Sequence, residues 1–382
     1  MPSSDVTFDL LLRAQDPEIV TMAAQAHVFA MVIREIPLPP SVQRSIDALN
    51  MLRAVRGTTG IEGSDLSEDE VRQVLEAKSE TAVLSRSRER EEKEIKNADE
   101  VMQYVSDLLS KHPNHPLTED FIKEIHRLTT KGINYPNNVP GRYRRHAVHA
   151  LDYQPPSDGD TVQQLMTAFV EWFNSGQPRN WDPVLQALVA HFYVISIHPF
   201  GDGNGRTARG VESFLLYQGG VNVRGFYSLA NCYYRERNQY VELLDYVRFQ
   251  SRGDLTPFVR FGLRGLVEEL ESVHKEILEA VRQIMFRDYA QHTLLFGRGR
   301  ISSKTRGRMM ALVQFLESQP VGIDALETGQ SAIAVMYKSL SARTRARDLK
   351  QLRKLGLIKT RDGEISANLD IMSQFTAGDL SN

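Results

Sequence analysis

The segment IHPFGDGNGRTARG, residues 197–210, gathers groups suited to chemistry on a polyphosphate. His198 is the one group in it able to take a proton near neutral pH. Asp202 is a hard oxygen ligand of the kind that holds a Mg²⁺ bridging phosphate oxygens. Gly201, Gly203 and Gly205 permit a close backbone approach that side chains would block, and their amides, with the helix N-terminus that follows, form an anion cradle. Arg206 and Arg209 stand three apart at the start of that helix, each able to grip phosphate oxygens through a bidentate fork. Any one of these features is common in ordinary turns and cores. Together, between His198 and Arg209, they fit the joint roles of base, metal carboxylate, amide cradle and paired cations. That constellation describes nucleophilic attack on a polyphosphate.

The elements that must position these groups are mostly helical. The chain of 382 residues is 41% apolar and 25% charged, with a net charge of −2. These values exclude a disordered or fibrous chain and a chain-wide polycation. A single cysteine, Cys232, excludes an internal disulfide framework and a multi-cysteine metal site, and fits a reducing compartment. Asp5, Asp9 and Arg13 interrupt any signal-like apolar core, and no uncharged apolar stretch is long enough to span a membrane. The expectation is a soluble cytoplasmic protein without a membrane segment.

Nearly every periodic segment has helical spacing. A helix is predicted over 41–56 with Ile46, Leu49, Leu52 and Val55 on one face, and another after Ser67, where Ser67 and Glu70 form a capping box. The mixed-charge run RSREREEKEIK, 86–96, reads as a solvated helix face or connector. A helix over 119–129 precedes a loop of turn formers at 132–138. The stretch GRYRRHAVHALDY, 141–153, loses helical spacing and reads as a short hairpin closed by Pro155 and Pro156. Asp182-Pro183 is a helix start, and the apolar run after it marks a central buried helix that delivers His198. A further helix ends at Gly219-Gly220, and a long scaffold or oligomerisation helix carries Leu263, Leu270, Ile277 and Ile284. The last eighty residues predict helices around 308–318 and 331–339, a basic helix capped by Ser341 and stopped by Gly356, then two short strands about Arg361-Asp362-Gly363. That order is the pattern of a winged helix-turn-helix. Between Ser341 and Thr360 there are seven basic residues and one acid.

The 198–209 segment resembles the Fic family signature, H-x-F-x-[D/E]-G-N-G-R-x-x-R, at every defined position, and the likeness runs over about 46–264, including GDLTPF at 253–258. The resemblance implies an all-α fold, a helical core with a small β-hairpin flap. The expected organisation is an N-terminal helical region with an inhibitory motif over 1–95, a catalytic core over 96–272, a connecting helix over 273–300 and a C-terminal winged helix over 301–382. It also implies transfer of AMP from ATP to a Ser, Thr or Tyr hydroxyl of a protein, the chain itself among the candidate targets, with Mg²⁺ as cofactor. Carried over residue by residue, His198 is the general base and Phe200 anchors the loop. Asp202 holds Mg²⁺ on the α- and β-phosphates, and Asn204 binds the α-phosphate. Amides of Gly203 and Gly205 stabilise charge developing there, while Arg206 holds the β-phosphate and Arg209 the γ-phosphate. Thr207 and Ala208 fall within the same nucleotide-binding stretch. Gly205 stands where the death-on-curing kinase branch has lysine, which favours nucleotidyl over phosphoryl transfer. Ala150, Leu151, Asp152 and Tyr153 are expected in the flap beside nucleotide and target, which the flap clamps by strand addition. Tyr240 and Val241 take the place of a family Tyr-Tyr pair near the adenine, with the second tyrosine replaced; Tyr240 reads equally as a core aromatic.

Thr58-Thr59-Gly60-Ile61-Glu62-Gly63 fits the family's inhibitory motif, [S/T]-x-x-x-E-[G/N], in the branch with an N-terminal inhibitory helix. Thr58, Glu62 and Gly63 are its defined positions. A Glu62 carboxylate paired to Arg209 occupies the fork meant for the γ-phosphate. Other readings stay open. In part of the family the same glutamate aligns a water that removes AMP, so one protein serves as transferase and hydrolase. In a different class, the core senses nucleotide for a DNA-binding regulator whose Arg343, Arg345, Arg347, Lys350, Arg353 and Lys354 face the nucleic acid. UTP or another nucleotide diphosphate compound is an alternative donor, and a homodimer is a further expectation.

Overall fold

Helical spacing in the sequence becomes helix in the structure almost throughout. The computed structural model describes residues 6–8, 10–77, 83–150, 153–222, 229–251, 253–296, 301–322, 325, 337 and 339–375. The chain divides into two units, Met1–His274 and Lys275–Asn382. In the first unit lie α1 (Pro17–Glu35), α2 (Pro40–Ile61), α3 (Glu68–Ala77), α4 (Glu89–Lys111), α5 (Glu119–Thr129), α6 (Gly159–Ser175), α7 (Pro183–Ile197), α8 (Asn204–Gln218), α9 (Ala230–Arg235) and α10 (Arg237–Phe249). The next helix, α11 (Thr256–Phe296), runs on beyond residue 274; the second unit also holds α12 (Ser303–Ser318), α13 (Ala342–Lys354) and a 3-10 helix over Leu369–Phe375.

The site rests on α7 and α8. Asp182 caps α7 by accepting the Val184 amide at 2.9 Å, with Pro183 at the first helical position. The helix is apolar nearly all round, so only the centre of the unit can hold it, and α8 packs along it. α4 and α5 cover the other side of α8. The α3 start is the predicted capping box: the Ser67 amide donates to Glu70 Oε2 at 2.9 Å and the Glu70 amide to Ser67 Oγ at 3.3 Å. α2 runs five residues further than predicted, through Thr58, Thr59 and Gly60 to Ile61. Gly60 is needed there, because a Cβ would lie 2.5 Å from the Tyr234 ring of α9. The long helix begins at Thr256, well ahead of the connecting helix expected over 273–300.

Two predictions need correction. The run 86–96 is not wholly solvated, since α4 is covered on more than one side and Glu92 and Glu94, on opposite faces of it, are 3% and 6% exposed. Glu92 accepts the Val83 and Leu84 amides, and Glu94 meets Tyr135 and Arg206, so both buried carboxylates are paired. The expected hairpin over 141–153 is, among the described residues, an irregular path ending in one antiparallel bridge, in which Ala150 and Tyr153 exchange both backbone hydrogen bonds at 3.0 Å. Arg144, turned inward, draws this stretch onto the α7–α8 loop rather than into a ladder.

The second unit holds a three-stranded antiparallel sheet of β1 (Val321–Gly322), β2 (Ile358–Arg361) and β3 (Glu364–Ala367), in the order β1-β3-β2. Ile358 pairs with Ala367, Arg361 with Glu364 and Val321 with Ile365. Its core includes Phe286, Leu312, Val313, Leu352, Leu357 and Ile365. The helix predicted near 331–339 falls almost wholly outside the described residues. No helix of the described residues is long and apolar enough to cross a membrane.

Candidate active site

His198 caps the C-terminus of α7 in a left-handed conformation, φ 52°, uncommon for a residue with a side chain and a mark of a held site. Its Nδ1 lies 3.2 Å from the Ile195 carbonyl oxygen, which can only accept, so Nδ1 carries the hydrogen and Nε2 keeps its lone pair. Burial pushes its pKa down to about 4, and the Arg248 and Arg144 cations add to the fall against the Ile195 hydrogen bond. The ring is therefore a neutral proton acceptor at pH 7.

Several side chains hold the loop that follows. Arg144, 3% exposed, donates from Nε to the His198 carbonyl at 2.8 Å and from its amide to the Pro199 carbonyl at 2.9 Å. His126 stacks on Phe200 with centroids 3.7 Å apart and planes 6° apart. The Gly141 amide donates to its Nδ1 at 2.9 Å, so its Nε2–H donates to the Asp202 carbonyl at 3.0 Å; burial pushes its pKa to about 4, keeping it neutral. The Asp202 amide donates to Asn138 Oδ1 at 3.1 Å. Asn204 staples the loop: its Oδ1 accepts the Phe200 amide at 2.9 Å and its Nδ2 donates to the Phe200 carbonyl at 3.0 Å. At 2% exposure this side chain positions the loop, and it also lines the cleft, with one Nδ2–H not used by the staple.

Asp202 Oδ1 accepts the Gly203 amide at 2.6 Å and Arg206 Nη2 at 3.2 Å, and its side chain is 38% exposed. Its pKa is raised, chiefly by burial and by Glu62, against the pull of Arg206. Its Oδ2 accepts no hydrogen bond among the described residues. A hard cation held by one carboxylate and substrate phosphates fits this donor set, and needs none of the three-residue ligand clusters that the described residues lack. Arg206 is not on the wall of the cleft. Its guanidinium is 5% exposed and bridges the Tyr135 hydroxyl at 2.7 Å, Glu94 at 3.2 Å and Asp202, so it braces the loop from behind. Thr207 and Ala208, both fully buried, face the core, with Thr207 Oγ1 donating to the Gly203 carbonyl at 2.8 Å.

Arg209 is one of the largest fully buried side chains among the described residues, 1% exposed. Its Nε donates to Thr58 Oγ1 at 2.8 Å, and its Nη2 to the Thr58 carbonyl at 3.0 Å and to Glu62 Oε1 at 2.6 Å. Its Nη1 is buried without a partner. Burial would raise the Glu62 pKa, but Arg209 and then Arg206 hold it below the ordinary glutamate value, so the carboxylate is ionised at neutral pH. Glu62 lies directly over Gly205, where a Cβ would come within 2.3 Å of Glu62 Oε1. Gly63, just beyond, has φ 103°, and its amide donates to the Gly60 carbonyl.

These groups line one cleft of about 340 Å³, the size of a small-ligand site. Glu62, Ala150, His198, Asp202, Gly203 and Gly205 stand on its wall, joined by Arg209, Tyr240 and Val241. Tyr240 is 2% exposed, with its hydroxyl 2.8 Å from His191 Nε2; His191 Nδ1 is 2.7 Å from Glu212, which also accepts the Tyr233 hydroxyl at 2.8 Å. Tyr153 sits behind two residues of the cleft wall, Ala150 and Arg248: it is 1% exposed, donating to the Ser196 carbonyl at 2.6 Å under the Arg248 guanidinium. Leu151 and Asp152 lie outside the described residues. Arg248, on the wall, pairs with Asp245 at 3.2 Å. No spacing rule singles out Arg144, His126 or Arg248, because each reaches the loop from a distant segment. The only sequence signal for them is a polar residue on an otherwise apolar helix face, as His126 is on α5.

Residues 116–216 match the model of the Fic/DOC family. The chain is 35% identical over 204 residues to the protein adenylyltransferase Fic of Aedes aegypti, covering 53% of this chain and 38% of that one. It is 34% identical over 210 residues to the Nematostella vectensis protein of the same name, covering 54% and 45%. The chain thus spans less than half the length of these curated relatives. In fold it is similar to a Fic family protein from Desulfovibrio desulfuricans G20, with TM-score 0.54, 19% identity and coverage of 96% and 98%. It is also similar to residues 134–508 of Fic-1 from C. elegans, with TM-score 0.54, 23% identity and coverage of 69% and 73%. From the helix that positions His126 to the one that carries Arg209, the chain holds a Fic/DOC-family domain.

Proposed function

We propose that this protein is an adenylyltransferase that moves AMP from ATP to a Ser, Thr or Tyr hydroxyl of a protein, and that Glu62 holds it off. The observation that carries the reading is a neutral His198 whose free Nε2 shares one cleft with Asp202, the Gly203–Gly205 backbone and a buried Arg209. In the reaction the target oxygen attacks the α-phosphorus and its proton passes to His198 Nε2. The bond from the α-phosphorus to the bridging oxygen breaks, and diphosphate leaves. The Nδ1–Ile195 hydrogen bond fixes the tautomer for this transfer and Arg144 fixes the ring's backbone. Loop amides face the charge that builds on the α-phosphate oxygens. Asp202 would hold Mg²⁺, which supplies charge neutralisation on the phosphates when bound. Arg209, once free, receives the γ-phosphate.

With Glu62 on Arg209 that last contact is taken. ATP then enters with its terminal phosphate displaced, and in-line attack is lost. The test uses the Glu62→Gly protein with Mg²⁺ and ATP labelled at the α- or at the γ-phosphate, followed onto protein by gel, with His198→Ala as control. Covalent α-label that vanishes in the His198 variant is the expected result. Label from the γ-phosphate alone overturns the reading in favour of a kinase.

A further inference from the structure

α13 lies in the second unit, and none of its residues lines the cleft. Arg343, Arg347, Lys350 and Lys354 recur at i, i+4, i+7 and i+11, a spacing that aligns them on one helix face, and all four are exposed. The helix's single acid, Asp348, points the other way, 0% exposed, and accepts Arg308 Nε at 2.8 Å. Leu352 is buried on that same inner side, and Arg345 is spent on the Leu340 carbonyl at 2.7 Å. Among the described residues, Arg343, Lys350 and Lys354 have no ion pair; Arg347 has one long contact, 4.0 Å, to Asp348. The other charge-rich helix behaves differently. On α4 the cations are matched by Glu89–Lys93, Arg90–Glu94 and Glu92–Lys96 pairs four residues apart. A row of four cations on one helix, three of them without an ion pair among the described residues, implies a polyanion.

We propose that α13 is the reading helix of a double-stranded DNA site. Thirteen residues make a rod about 20 Å long, which a B-DNA major groove roughly 12 Å wide admits and the narrow major groove of A-form RNA does not. The β2–β3 hairpin adds an exposed Arg361 at its turn. α12, β1, α13 and the hairpin follow one another in the order of a winged helix. Four phosphate-facing cations give a slope of log affinity on log salt near −3.6, so affinity falls about a hundredfold between 50 and 200 mM salt.

The experiment titrates the full-length protein into a fluorescein-labelled 24-base-pair DNA duplex of mixed sequence and reads anisotropy at 50, 100 and 200 mM KCl. We expect binding at 50 mM, the stated salt slope, and at least a tenfold loss in the Arg343→Ala/Arg347→Ala/Lys350→Ala/Lys354→Ala protein. Each single alanine should lower the slope by about 0.9, which keeps the test open if the quadruple variant misfolds. His198→Ala should bind as the parent does, which separates this proposal from the transferase reading. Absence of binding at 50 mM overturns it, as does binding the alanines leave unchanged. Preference for an RNA duplex, or for vesicles with anionic phosphatidylserine over DNA, overturns it too.

Discussion

Replacing Glu62 by glycine should lower the stability of the ligand-free protein while raising its response to ATP. Arg209 is 1% exposed, and Glu62 is the one carboxylate paired with it among the described residues. Removing one partner of a fully buried pair costs about 3–5 kcal/mol. Two features reduce that figure here. The Glu62 side chain is 35% exposed, so solvent screens the pair, and Thr58 keeps two hydrogen bonds to the guanidinium. We expect about 1–2 kcal/mol, a fall in Tm of roughly 2–8 °C for a unit of this size. A triphosphate that reaches the freed Arg209 regains that energy, so ATP affinity rises about 5- to 30-fold. Thermal unfolding with and without Mg²⁺-ATP measures both halves. The variant should start lower and shift further, converging on the parent's Tm at saturation. An unchanged Tm without ligand, together with an equal ATP shift, would refute the pairing as the restraint on the site.

Other residues give sharper, smaller tests. The His198 pKa near 4 means the base stays neutral well below pH 6.5, so the acid limb of kcat/KM for the Glu62→Gly protein should fall between pH 4 and 5; a limb near pH 6.5 would contradict the burial argument. The Glu62 pKa is depressed, so the latch is present above the ordinary glutamate value and is lost only as pH falls through its lower folded value. Activity of the wild-type protein should therefore not be switched on between pH 8 and 5, as an activity titration would read. Asn204→Ala, which removes both loop staples, should cut kcat of the Glu62→Gly protein at least tenfold, whereas Asn204→Asp, which keeps the acceptor to the Phe200 amide, should recover part of it. Asp348→Asn leaves Arg308 without its charge partner, 0% exposed on the acid side, and should destabilise the second unit by about 2–4 kcal/mol in chemical denaturation.

The chemistry was legible in the sequence where it is local. His198, Asp202, the glycines and Arg209 fall on one loop and the first turns of one helix, so their order in the chain is nearly their order in space. The Asp182 cap and the all-apolar α7 placed that loop at the end of a buried helix before any coordinate. Long-range partners were not legible. Arg144, His126 and Tyr135 reach the loop from segments 54 to 76 residues away, and only the packing of α4 and α5 on α8 brings them there. Arg206 shows the same limit: its position in the motif says nothing of the buried Glu94 on the charged run of α4 that pairs with it behind the loop. Thr207 and Ala208 fall between the arginines in the chain and face the core because helical period turns them there.

Arg237 links the cleft to the end of α2. It lines the cleft wall, and its Nε donates to the Ile61 carbonyl at 3.1 Å, one residue before Glu62. An anion that draws Arg237 into the cleft therefore removes the cap from the last turn of α2, a turn already weakened by Gly60. If an anion moves Arg237 in this way, occupancy of the outer cleft and detachment of Glu62 would be thermodynamically linked, and linkage is reciprocal. Under the inhibition proposed for Glu62, whatever loosens that turn would tighten the cleft's hold on its anion by the same factor.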